Sequence, residues 1–303
     1  MSVESVKFTL NGVEVSLTKG SGDTWSGTVT APAVTSYGET DHVYGGSITA
    51  EDDAGNSVTK DYTDATLGAS LKLRVKEKVA PTQTLTFPTA GAYVTATDTP
   101  TFQWTVVDED TGSGASGVDP STIAITIDGT KITSGITTTA ITGGYSCEYT
   151  PSTALTQGAH TYSVEATDND GNTATGTSTS FTIDTQAPSL NITAPTDNLV
   201  TNEASVTVTG TTDDITTRPV TVTVNGSAVT VDPTTGAFST SVDLTEGSNT
   251  ITIVATDTAG NSTTVTRTVV RNSTPPVIVS VTLTPNPVDA GATYVVTAVV
   301  TDT

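Results

Sequence analysis

One octad recurs three times along the 303 residues, and it limits what the chain can fold into more than any other feature. It runs Thr49–Asn56, Glu165–Asn172 and Val254–Asn261, with the shared core A-x-D-x-x-G-N. Upstream of each lies an alternating strand that ends in Asn-Gly or Asp-Gly, at Phe8–Gly12, Ile125–Gly129 and Val222–Gly226. Those pairs supply the positive φ angles of a two-residue hairpin turn. A Pro-bearing junction follows each octad, at Ala80-Pro81, Ala187-Pro188 and Thr274-Pro275-Pro276, before a new alternating run begins. Three marks in fixed order define a unit of roughly 90 to 105 residues.

Within a unit, turn signals come about every 8 to 12 residues, the rhythm of a seven-strand sandwich. The third unit reads most clearly: A Ser189–Thr193, B Ser205–Gly210, C Val220–Asn225, C′ Val229–Asp232, E Ala237–Leu244, F Asn249–Ala255 and G Ser262–Val270. In the second unit Phe102, Trp104 and Val106 alternate onto one face of strand B and read as core. Thr and Val crowd the backbone at Cβ and favour strands, whereas the charged fraction is only 14%. The expectation is an all-β chain of tandem sandwiches, with domains at 1–78, 79–184, 185–272 and 273–303.

Eleven Lys and Arg against 32 Asp and Glu give a formal charge of -21, which repels a phosphate backbone and disfavours anionic membranes. No apolar run reaches the roughly 20 residues of a spanning helix. Nucleic-acid binding and membrane insertion are therefore not expected. A single Cys forms no internal disulfide, and with two His it cannot build a zinc site of three or four N or S ligands. The opening residues carry no apolar signal-peptide core, so the expected start is a mature or engineered one, or that of a chain exported by another route.

The A-x-D-x-x-G-N turn, together with the run G-V-D-P-S-T-I-x-I-x-I-D-G at Gly117–Gly129, resembles the tandem bacterial immunoglobulin-like domains of surface adhesins, secreted multidomain proteins and phage virion proteins. Pro276–Asp302 resembles the opening of phage tail-associated and head-fibre domains of this kind. The resemblance covers the whole chain and implies an Ig-like fold and an extracellular, cell-surface or virion location. It says little of function, because such sandwiches host many roles.

The first unit departs from the others. Residue 3 already lies in the strand that ends at Asn11-Gly12, so strands A and B have no counterpart within 1–78, while Val277–Pro285 and Thr293–Thr301 read as strands A and B with no partner after them. The two pieces are complementary. One reading is head-to-tail assembly into a homopolymer, in which Val277, Val279, Val281, Leu283, Tyr294, Val296, Ala298 and Val300 of one copy are donated to an acceptor core of Val6, Phe8, Leu10 and Ile48 in the next. A tight ring closed on itself is a second. The third is that both ends are truncation boundaries of a longer adhesin, whose domains bind or space a host glycan or protein site.

Acidic residues cluster between strands B and C and between F and G, loops that share one end of such a sandwich. Asp108, Asp110, Asp168, Asp170, Asp213 and Asp257 are the candidate calcium ligands, with Asp52 and Asp53 in the first unit. Calcium takes six to eight oxygens, which carboxylates and carbonyls could supply. Against this, Asp and Gly-Asn serve turns by capping N–H groups and accepting positive φ, and no 12-residue calcium loop is present. No other cofactor is expected. Catalysis is not expected either, since His42 and His160 fall in different units. Cys147 reads as an apolar filler, and Trp25 as the best exposed platform for a glycan. The third unit has no Lys and so cannot carry an isopeptide cross-link.

Overall fold

The computed structural model describes residues 2–284 and 286–302, and its regular structure is strand apart from three short 3-10 turns. The chain divides into two compact units, Met1–Ile183 and Asp184–Thr303, each described by itself. Among the described residues no helix is long and apolar enough to cross a membrane.

In the second domain one sheet has the order D (Thr137–Ile141), E (Gly144–Tyr149), B (Phe102–Val107), A (Thr82–Phe87). The facing sheet runs C′ (Thr130–Ile132), C (Val118–Ile127), F (Gly158–Asp168), G (Thr179–Ile183), A′ (Tyr93–Val94), with A′ parallel to G. Alternation sends Phe102, Trp104 and Val106 inward, where they meet Ile125, Tyr162, Val164 and Phe181. Trp104 is 1% exposed, so it is core as its periodicity predicts.

The third domain repeats the plan. Strands A (Ser189–Ala194), B (Ser205–Asp213) and E (Ala237–Asp243) form one sheet. Strands A′ (Leu199–Thr201), G (Ser262–Arg271), F (Gly247–Thr256), C (Thr221–Val224) and C′ (Ser227–Val229) form the other. Strand A′ and the two-residue shift of C′ are absent from the sequence reading. Both are short, and their pairing is set by the neighbouring strand rather than by their own pattern. The C–C′ turns carry positive φ at both central residues: 48° and 75° at Asn11-Gly12, 47° and 78° at Asp128-Gly129, and 49° and 80° at Asn225-Gly226.

The first domain is built on a sheet that matches the C–F sheet of the other two. C (Val3–Leu10) pairs with C′ (Val13–Ser16) and with F (Tyr44–Asp52), and F with Ser57–Asp61 and Lys72–Leu73. The small hairpin of Thr18–Lys19 and Trp25–Ser26 lies across a cleft from it. Gly27–Thr30, which follows this hairpin, belongs to no strand. An open cleft of about 540 Å³ runs between Val3, Val6 and Ala50 on one side and Lys19 and Trp25 on the other, and a second of about 300 Å³ between Phe8, Leu10, Val29 and Ala31. Val6 and Leu10 are buried, whereas Phe8 and Ile48 are only half-buried.

Val277–Thr284 and Val295–Thr301 form an antiparallel hairpin in which every residue is exposed. A bulge between Ile278 and Ser280 changes the parity of the first strand. Ile278, Val281 and Leu283 therefore stand opposite Val300, Ala298 and Val296 and share their face. Strict alternation would have placed Val277 and Val279 there instead.

Candidate metal centre

The F–G turn explains the recurring octad. Asp168 Oδ1 accepts the N–H groups of Asp170 (2.9 Å) and Asn172 (2.8 Å), and Gly171 takes φ 94° so that the chain can reverse. Asn172 Nδ2 donates to Asp168 Oδ2 (2.7 Å) and to the carbonyl of Glu77 (3.3 Å) in the segment entering the domain. The third domain does the same: Asp257 Oδ1 accepts from Gly260 (2.7 Å) and Asn261 (2.9 Å), and Asn261 Nδ2 donates to Asp257 Oδ2 and to the carbonyl of Asp184, both at 3.0 Å. The motif Asn thus ties the turn to the incoming strand.

That tie gathers three carboxylates at one end of each domain. Glu77, Asp108 and Asp168 each bring an oxygen within 4.8 Å of the others, as do Asp184, Asp214 and Asp257, and all six side chains are buried. Glu77 Oε1 accepts from Ser116 N (2.5 Å) and Asp108 Oδ2 from Gly117 N (2.6 Å). Glu77 Oε2 and Asp108 Oδ1, in residues each only 3% exposed, have no hydrogen-bond partner among the described residues. Burial pushes the Asp108 carboxyl up to about 6; the Glu77 and Asp168 charges push the same way, and the Gly117 N–H opposes them. Buried carboxylate oxygens without partners are costly unless a cation faces them or one of the carboxyls keeps its proton.

Donor chemistry decides which cation fits. Oxygen ligands alone suit a hard ion, and two oxygens bound to one calcium at about 2.3 to 2.6 Å are at most about 5 Å apart. In the third domain the same oxygens are better satisfied: Asp184 accepts from Gln186 N (3.2 Å) and from the Thr217 hydroxyl, and Asp214 Oδ1 accepts from Thr216 N and Thr217 N, both at 2.7 Å.

Of the six residues singled out from sequence, Asp108, Asp168 and Asp257 fall in these clusters. Asp110 is exposed and caps the N–H groups of Gly112 (2.8 Å) and Gly114 (2.9 Å). Asp170 is buried but turned toward the first domain, where Oδ2 accepts from the Thr35 hydroxyl (2.5 Å) and Glu77 N (3.1 Å) and Oδ1 lies 3.5 Å from Arg74 Nη2. Asp213 pairs in the ladder with Ser189, and its exposed carboxylate forms an ion pair with Arg218. Glu77 and Asp184 were missed because the contact is made by residues far apart in sequence. Their only signal is position, five residues before the first residue of strand A in both domains.

Elsewhere, both ring nitrogens of His160 are engaged, by Asp128 Oδ2 (2.6 Å) and the Thr156 carbonyl (2.7 Å), and His42 stacks on Tyr37. The Cys147 thiol is fully buried, which pushes it up to about 11. Trp25 is half-buried and lines the open cleft of the first domain, with Lys19 Nζ 5.8 Å from its ring, so it is no free platform.

Comparison with known proteins gives two family matches: "Bacterial Ig-like domain" over residues 89–185 and "Glucodextranase, domain B" over residues 188–273. No curated protein matches the sequence. Among solved structures, the fibronectin(III)-like modules of Clostridium thermocellum CbhA are 19% identical, covering 63% of this chain and 95% of theirs with a TM-score of 0.38. A mutated three-Ig fragment of titin is 12% identical, covering 89% of this chain and 88% of its own with a TM-score of 0.45. Bacteroides ovatus SGBP-B, solved with a mixed-linkage heptasaccharide, is 15% identical over 92% of this chain and 62% of its own, with a TM-score of 0.21. The second and third domains are thus tandem sandwiches of immunoglobulin-like strand order, the second with a bacterial Ig-like match.

Proposed function

We propose that this chain is a non-catalytic structural protein of the cell exterior or a virion, its copies joined end to end as a fibre. The Val277–Thr301 hairpin of one copy covers the open sheet of the first domain in the next. One observation carries this reading: the hairpin opens on the same pair as the A–B hairpins that cover that sheet in the other two domains. Its terminal pair is Val277 with Thr301, as Thr82 pairs with Val107 and Ser189 with Asp213. The register shift follows the second pair here and the fourth pair in the other two, and among the described residues only this hairpin is bare on both faces.

The receiving edge is also available. In the second domain strand B pairs with E, setting Trp104 opposite Cys147. In the first, Trp25, Gly27 and Val29 repeat the alternation of Tyr145, Cys147 and Tyr149, and Gly27–Thr30 has no strand partner. Docking buries Ile278, Val281, Leu283, Val296 and Val300, which are 43% to 66% exposed in the free hairpin. A fully exposed side chain of this size gains about 1.5 to 3 kcal/mol on burial, so five that are about half exposed give roughly 4 to 8 kcal/mol before the cost of association. Calcium held by the two acidic clusters would fix each F–G turn to the segment entering its domain.

The test is light scattering after size exclusion over a concentration series, on the parent and on a chain with residues 277–302 moved ahead of Ser2. The reading expects concentration-dependent polymers from the parent and a monomer with a protease-resistant first domain from the rearranged chain. A parent that stays monomeric at every concentration overturns it.

A further inference from the structure

The two metal clusters occupy equivalent places, and the same three places exist a third time, divided between the two ends of the chain. The first lies five residues before strand A begins: Glu77 before Thr82, Asp184 before Ser189, and Asn272 before Val277. The second directly follows the strand-B residue paired with that first residue of A: Asp108 after Val107, Asp214 after Asp213, and Asp302 after Thr301. The third is the Asp of the F–G turn: Asp168, Asp257, and Asp52 in the first domain.

Local geometry repeats at both halves. Asn272 Oδ1 accepts from Thr274 N (3.1 Å), as Asp184 Oδ1 accepts from Gln186 N two residues on. Asp52 Oδ1 accepts from Ala54 N (2.9 Å) and Asn56 N (2.8 Å), as Asp168 Oδ1 accepts from Asp170 N and Asn172 N. Asp52 stands opposite Val3, as Asp168 stands opposite Val118. One contact differs. Asn172 and Asn261 each reach the carbonyl of the incoming segment, whereas Asn56 Nδ2 donates only to the two oxygens of Asp52 (3.2 and 2.9 Å). The missing acceptor corresponds to the carbonyl of Asn272.

We propose that a third calcium site is completed only between copies, from Asn272 and Asp302 of one chain and Asp52 of the next, so that calcium controls end-to-end assembly. The inference rests on the strand-donation reading above. It also rests on reading the intact cluster as a cation site, where the buried Glu77 Oε2 and Asp108 Oδ1 lack a protein donor. Asn272 makes the divided site weaker than the intact ones, because it offers a neutral oxygen where they have a carboxylate, and affinity for calcium falls with ligand charge. On a chain of charge -21 the cation also lowers the repulsion between approaching ends.

Calcium titration of the full chain, followed by light scattering and by equilibrium dialysis with calcium chloride against EGTA, tests this. Two calcium ions per chain should bind before polymers form, and a third should bind with them. Asp302→Asn and Asp52→Asn should each raise the calcium needed for assembly by about tenfold or more while leaving the first two ions bound. A second rearranged chain, which carries residues 272–302 ahead of Ser2 so that Asn272 is included, should bind three ions as a monomer. Polymers that form equally well in EGTA, or that keep the parent's calcium dependence in both variants, overturn the divided site while strand donation stands. No polymer at any calcium concentration overturns both. Polymers without any bound calcium overturn the reading of the acidic clusters together with this one.

Discussion

The first and second domains share a C–F register, a C–C′ turn and an F–G turn, yet their cores differ sharply. In the second, fourteen buried side chains form one cluster with Trp104, Phe102 and Tyr162 at its centre. In the first, Val6, Leu10 and Tyr44 are the hydrophobic side chains that reach full burial among the described residues. Local sequence signals are equal in the two, so they do not make the core. In the second domain the A–B hairpin supplies Phe102, Trp104 and Val106 to the core, whereas the sheet of the first domain borders open clefts. A sheet with few side chains buried against it keeps its pairing and turns but lacks the apolar burial that dominates folding free energy.

Four measurements break or sharpen that contrast. Trp104→Ala should cost the second domain about 3 to 5 kcal/mol by denaturant unfolding, whereas Phe8→Ala in the first should cost well under half of that in the monomer. Under the assembly reading, the penalty at Phe8 should grow once polymers form. Next is the pH dependence of Asp108 in EGTA. Its folded carboxyl titrates at about 6, above its ordinary 3.8, so the unfolded chain releases this proton first. The group therefore lowers stability as pH rises from about 4 to 6, by at most roughly 3 kcal/mol, and thermal melts of Asp108→Asn should lack this decline.

Calcium at about a hundred times its dissociation constant should raise the stability of the domains that hold it by about 2.7 kcal/mol, read as a shift in Tm against EGTA. The first domain should not respond in the monomer. The smallest effect separates two copies of one motif residue. Asn172→Ala removes a bond to the Glu77 carbonyl as well as bonds to Asp168, and should cost about 1 to 3 kcal/mol. Asn56→Ala, on an exposed turn without that tie, should cost about 1 kcal/mol or less in the monomer.

What could be read from sequence follows the range of the interaction. The I′ turns, the F–G turn and the inward face of Phe102, Trp104 and Val106 are local or periodic and were legible. Asp110 and Asp213 were grouped with the cluster by proximity in sequence, but one caps its own loop and the other sits at a ladder position whose side chain points to solvent. Glu77 and Asp184 were not legible, since nothing in an isolated inter-domain segment shows that strand A will carry its carboxylate beside two loops of the following domain. The bulge between Ile278 and Ser280 was hidden for a related reason, because register is settled between strands and a single inserted residue reverses the facing set.

The most direct test of end-to-end assembly is hydrogen exchange at the backbone amides of Gly27–Thr30, followed as the protein concentration is raised in calcium. The account predicts that these amides exchange fast at low concentration and become protected in step with those of Val295–Thr301 as strand B of one copy pairs with strand E of the next. Fast exchange of Gly27–Thr30 at every concentration would contradict it.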